Sequence, residues 1–191
     1  MKRVLLIILL HLSLFFIVFA YQAQAEDDNE WYVNEFSTFV VAAVSGEVIH
    51  GDKLRFFIKK NDCSKVAMIF SFSTSIKKDE IKELQDKKLP IRINDWDTIS
   101  GAKVVSVHPF EFMTIVMMQT QGFHEINKFI GALNAMYTYE KIFSIQLVKQ
   151  PHYDPENHFD IVRNHWKLDR LVENIQKAQS MCLGPDEIKS T

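Results

Sequence analysis

The densest run of side chains able to ligate a metal or move a proton is His152-Tyr153-Asp154-Pro155-Glu156-Asn157-His158-Phe159-Asp160, with His165 shortly after. Imidazole and carboxylate are donors that zinc and copper accept, so His152, Asp154 and His158 form a candidate metal set. Ligands on one helix face must be three or four residues apart, and Pro155 forbids an ordinary helix here. An ion would therefore have to be wrapped by a loop, with several ligands converging at once. The simpler expectation is a polar surface loop between the last strand and the last helix, with neither metal nor cofactor.

A second candidate chemistry is nucleophilic. Ser100-Gly101-Ala102 precedes a predicted strand, and Gly46-Glu47-Val48-Ile49-His50-Gly51-Asp52 precedes an amphipathic stretch. The order of these pieces is similar to secreted relatives of the Clp-type serine peptidase and crotonase superfamily, in which such a turn leads into a helix. That resemblance implies an α/β fold, with Ser100 as the nucleophile of a serine hydrolase-like periplasmic enzyme, degenerate or active. It also calls for a glycine pair to supply oxyanion donors, where this chain has Ser73-Thr74-Ser75. Acyl transfer needs those donors as well as an activated serine. The expectation is that Ser100 is not catalytic. With six glycines in all, the chain also lacks phosphate-cradling and dinucleotide motifs.

The remaining reactive side chains are Cys63 and Cys182, the only cysteines. Their chemistry depends on compartment, which the first 25 residues address. Lys2 and Arg3 precede an apolar run from Val4 to Ala20, and Ala23-Gln24-Ala25 ends in an acidic Glu26-Asp27-Asp28. That is the order of a secretory signal with a small-x-small cleavage site. Residues 1–25 are thus expected to be a signal peptide and residues 26–191 one mature domain, exported to the periplasm or secreted. Outside the cytoplasm two cysteines have a single possible pairing, Cys63 with Cys182. Closing so long a loop stabilises a fold by about 4–5 kcal/mol on the chain-entropy model.

Those groups need a frame. The chain has 191 residues, 47% of them hydrophobic, and a net charge of −2. This suits one globular domain and excludes a disordered chain. It provides no basic surface for nucleic acid. Beyond the leader no apolar stretch is long enough to span a bilayer, so no stable membrane span is expected after cleavage.

Hydrophobic patterning predicts mostly strands. Glu35 to Val44 reads as one strand covered on both faces, and Leu54, Phe56 and Ile58 alternate with basic residues. Val66 to Phe72, Ile91 to Ile93, Val104 to Val107, Phe112 to Met118 and Ile142 to Val148 continue the series. The apolar Phe112 to Met118 run could line a cavity for a lipid or other apolar ligand, but a plain core strand is the expectation. Lys77 to Lys88 suggests a short surface helix, and Phe123 to Met136 an internal one. Leu168, Leu171, Ile175, Ala178 and Cys182 mark a C-terminal amphipathic helix, stopped at Gly184-Pro185. Cys182 on its apolar stripe makes a helix-to-sheet staple the natural pairing.

In layout the mature chain resembles small bacterial exported proteins of the invasion-associated locus B type. The resemblance rests on the Trp31-Tyr32-Val33 start, the run of strands and the helix-then-strand segment from Glu125 to Val148. Phe159-x-Ile161, followed by a helix ending in Cys182, also fits. The additional cysteines and glycine-phenylalanine ending of that family are missing here. The resemblance implies a β-rich envelope or secreted protein and no activity. The expected fold is α+β, a β-rich antiparallel sheet or sandwich with one internal and one C-terminal helix. The expected function is non-catalytic binding of an unknown protein or a small apolar ligand.

Overall fold

The computed structural model describes residues 31–49, 51–75 and 79–187. The predicted leader lies outside these residues. Ten strands form one antiparallel sheet in the order β1-β2-β3-β4-β7-β6-β5-β9-β10, with β8 pairing with β4. Their bounds are β1 Tyr32–Glu35, β2 Phe39–Ser45, β3 Lys53–Lys59, β4 Asp62–Thr74 and β5 Lys88–Ile93. The others are β6 Ile99–Pro109, β7 Thr114–Gln119, β8 His124–Glu125, β9 Phe143–Leu147 and β10 Arg163–Trp166. Helix α1 is a single turn at Asp79–Lys82, α2 is Ile126–Glu140, and α3 is Leu171–Glu187 with Gly184 at φ +75° breaking its geometry.

The expected α+β, β-rich fold is therefore present, as one curled sheet rather than a sandwich. All named strand pairs are antiparallel, and Gly51 to Asn61 contains strand β3 where the peptidase-like layout needs a helix. Alternation explains the layering. Leu54, Phe56 and Ile58 of β3 point inward with Val66, Met68, Phe70 and Phe72 of β4, and all are buried. They pack with Leu171, Ile175 and Ala178 of α3 and Ile126, Ile130 and Leu133 of α2 in one core. The sheet thus wraps around its helices. Burial of side chains this large is the main stabilising term, at about 1.5–3 kcal/mol each.

Cys63 and Cys182 form the expected disulfide, their Cα atoms 5.8 Å apart, tying β4 to α3. Beside it Gln179 Nε2 donates to the Cys63 carbonyl at 3.0 Å. The ends of the curl also meet. Trp31, just before β1, stacks on Phe56 and donates from its indole to the carbonyl of Lys167, just after β10 (3.2 Å).

Several boundaries differ from the sequence expectations. The stretch Glu35 to Val44 is two antiparallel strands folded at Phe36–Thr38, although Val40 to Val44 are buried on both faces as expected. Of the expected Lys77 to Lys88 helix, Lys77 and Lys78 lie outside the described residues, and the rest forms one helical turn at Asp79–Lys82. Asp86 takes φ +64°, and backbone bonds from Asp86 and to Lys87 then pair the chain with Val104 of β6. Phe112 and Met113 are exposed at the β6–β7 turn, and the strand starts at Thr114. Strand β6 runs past the expected Val104 to Val107 in both directions, so Ser100 lies inside it rather than before a strand.

Candidate functional site

Two polar constructions stand out, one closed and one open. The closed one surrounds Asp52, a fully buried residue at the start of β3. Its Oδ1 accepts from the Ser73 backbone N–H at 2.5 Å and from Ser73 Oγ at 2.8 Å, and its Oδ2 from Asn164 Nδ2 at 2.9 Å. Asn164 Oδ1 in turn accepts from the N–H groups of Val48 and His165, at 3.1 and 2.8 Å. Burial pushes the Asp52 carboxyl above the ordinary carboxylate range, opposed by the Ser73 and Asn164 hydrogen bonds and by Arg55. Gly46 belongs to the same device, because a Cβ there would stand 2.4 Å from Asn164 Nδ2. Glu47 completes it on the surface, pairing with His165 at 3.0 Å and Lys167 at 3.1 Å. This network clamps the β2–β3 loop onto β4 and β10. Each member is occupied by another, which marks it as structural.

The open construction is a cleft of about 960 Å³ between α2, the β5–β6 pair and the segment after β9. Phe129 and Leu133 of α2 and Met68 of β4 supply apolar wall, as do Leu89 of β5 and Ile99 of β6. Val148 N–H donates to the Pro90 carbonyl at 2.9 Å, and this brings Gln150, Pro151, His152 and Tyr153 alongside the start of β5. Lys88 crosses the rim over Gly101, where a Cβ would stand 2.0 Å from Lys88 Cε. Only glycine leaves room for that lysine stem.

Tyr153 is the chemically distinctive member of the wall. Its hydroxyl is buried without a hydrogen-bond partner, and burial raises its pKa, so the phenol keeps its proton and remains a donor. Its ring stacks on His158 with centroids 5.7 Å apart, and His158 Nδ1 is likewise buried without a partner. Arg92 Nε, His124 Nε2 and Trp166 Nε1 are buried without a partner as well, so this feature is shared with positions outside the cleft.

The histidine-rich run is dispersed by the fold. His152 joins the cleft wall. Asp154 pairs with Lys149 and accepts from the Glu156 N–H at 3.2 Å, capping a short 3-10 turn at Pro155–Asn157. The Lys149 hydrogen bond holds the Asp154 carboxyl below its ordinary pKa. Asp160 accepts from the Ser75 N–H at 2.5 Å, and His165 pairs with Glu47. Among the described residues no three His, Cys, Asp or Glu side chains converge to hold a metal, so the structure does not assemble the candidate set of His152, Asp154 and His158. Ser100, exposed on β6, does line the cleft together with His152. The Phe112 to Met118 run contributes no residue to its lining.

Sequence reading missed Lys88 and Asn164 as site-forming residues, and missed the cleft as an assembly. The available signals were weak: Pro90 and Pro151 interrupt two strand-like runs, and Gly101 sits within a strand, where glycine often marks a close approach. No family model, curated protein or solved structure matches the chain.

Proposed function

We propose that this is an exported, non-catalytic envelope or secreted protein that acts by binding, and that the cleft beside Tyr153 is where it binds. The observation carrying this reading is a mostly apolar concavity, within the size range of small-molecule sites, lined by a few uncharged polar side chains and one lysine. Export is supported by the signal-like order of residues 1–25 and by the disulfide, a bond that persists in oxidising compartments. Among the described residues no helix is long and apolar enough to cross a membrane.

Native mass spectrometry of the protein recovered from the extracytoplasmic fraction tests the reading. The expected result is a chain beginning at Glu26 that carries a small molecule, which is lost when Ser100→Trp fills the cleft. A chain retaining Met1 in the membrane fraction contradicts export. A bare mass under gentle conditions contradicts binding.

A serine hydrolase is the second reading, because Ser100 and His152 share the cleft. A fluorophosphonate probe separates the two. Stoichiometric labelling abolished by Ser100→Ala would replace binding with hydrolysis, and absence of labelling is the expected result.

A further inference from the structure

We infer that the cleft selects an amphipathic anion, a carboxylate carrying an unbranched aliphatic tail, with its head at the Lys88 rim and its tail along α2. This rests on the cleft being a binding site, and goes further by naming the ligand's chemistry. The first support is charge. The residues lining the cleft include no Asp or Glu, and Lys88 is their one permanently charged side chain. Lys88 makes no ion pair among the described residues, so its ammonium is available to a ligand acceptor.

The second support is the distribution of polarity. Phe129, Leu133, Met68 and Leu89 present apolar surface, whereas Ser100, Thr120, Gln121, Gln150 and His152 supply uncharged polar groups that can donate to a ligand's head. A ligand with acceptor oxygens at one end and hydrocarbon behind satisfies this wall. A cationic amphiphile does not, because it would bring like charge to Lys88.

The third support is the fit of Lys88 to its strand. Its stem lies against Gly101 so closely that any other residue at 101 would displace it. The lysine is therefore held along the rim by its apolar stem, as long basic side chains often are.

Calorimetric titration of the purified protein with dodecanoate, dodecanol and dodecyltrimethylammonium, each below its micelle concentration, tests the inference. Dodecanoate should bind most tightly and the cationic amphiphile least. Lys88→Met should weaken dodecanoate about three- to fivefold, the effect of one exposed ion pair, and leave dodecanol unchanged. Ser100→Trp, at an exposed position whose folding is checked by circular dichroism, should abolish binding of both. Equal affinity for dodecanoate and dodecanol, unaffected by Lys88→Met but lost in Ser100→Trp, would overturn the anion selectivity while leaving the cleft a binding site. Binding of neither amphiphile to the native protein would overturn the ligand class, with the native-mass result still deciding whether another molecule is carried. Binding that survives both substitutions would place the ligand elsewhere and overturn both.

Discussion

Asp52 and Tyr153 both carry polar atoms withdrawn from water, and the fold treats them in opposite ways. Around Asp52 three donors meet one carboxylate, and the asparagine supplying one of them has its own oxygen bonded twice. Around Tyr153 the hydroxyl has no partner, and the ring forms part of an open wall. A satisfied buried network holds parts of a chain together, whereas a side chain bordering a cleft without such bonds supplies no comparable tie. Polarity alone does not distinguish structure from site. Satisfaction does.

The largest expected effect comes from the covalent tie between β4 and α3. Cys182→Ser should lower the unfolding free energy by about 2–5 kcal/mol, measured by denaturant melts, as loss of a native disulfide does. In the native protein, intact-mass measurement after non-reducing alkylation should show no alkylated thiol.

Breaking the closed region comes next. Asn164→Ala strips Asp52 of a donor and leaves two backbone N–H groups without their acceptor, and should cost about 2–4 kcal/mol. Gly46→Ala drives a methyl into the same amide and should cost about 1–3 kcal/mol. The double variant should be less destabilised than the sum, because the methyl then enters the space the amide vacated. Strict additivity would mean that Gly46 and Asn164 are not coupled.

A smaller, pH-dependent effect sharpens the same point. Because burial raises the folded pKa of Asp52 above its unfolded value, the folded protein takes up that proton first as pH falls. The stability contribution is therefore full below the ordinary carboxylate range and declines as pH rises through the raised value. In thermal melts the native protein should gain stability relative to Asp52→Asn as pH falls through the raised value toward the ordinary carboxylate range. A difference that shrinks toward acid would show that the hydrogen bonds outweigh burial.

The smallest expected effect belongs to the open region. Tyr153→Phe removes a hydroxyl that bonds to nothing in the described residues, so the ligand-free protein should change by no more than about 1 kcal/mol, in the stabilising direction. A loss as large as that of Asn164→Ala would show that Tyr153 is a structural residue.

The contrast also explains what sequence could reveal. The disulfide was readable because two cysteines allow one pairing, and α3 because Leu171, Ile175 and Ala178 repeat at helical spacing. Alternation in β3 announced its buried face. The Asp52 clamp was hidden because Asp52 and Asn164 are 112 residues apart and no local pattern links them. The cleft was hidden for the same reason, since its walls come from separate elements that meet only once the sheet curls. Local misreadings had local causes. Lys77 to Lys88 offers only Ile81 and Leu84 as apolar anchors, too few to hold a helix against pairing with β6. In Phe112 to Met118, a turn bond from Phe110 N–H to the Met113 carbonyl (2.7 Å) takes the first two residues out of the strand.

The division between a closed clamp and an open site is tested most directly by following backbone amide shifts of the labelled protein during titration with dodecanoate. The predicted result is saturable perturbation confined to residues lining the cleft, in 88–90, 99–101, 129–133 and 150–153, with Asp52, Ser73 and Asn164 unmoved. Perturbation centred on those three residues, or a spectrum that does not change, would contradict it.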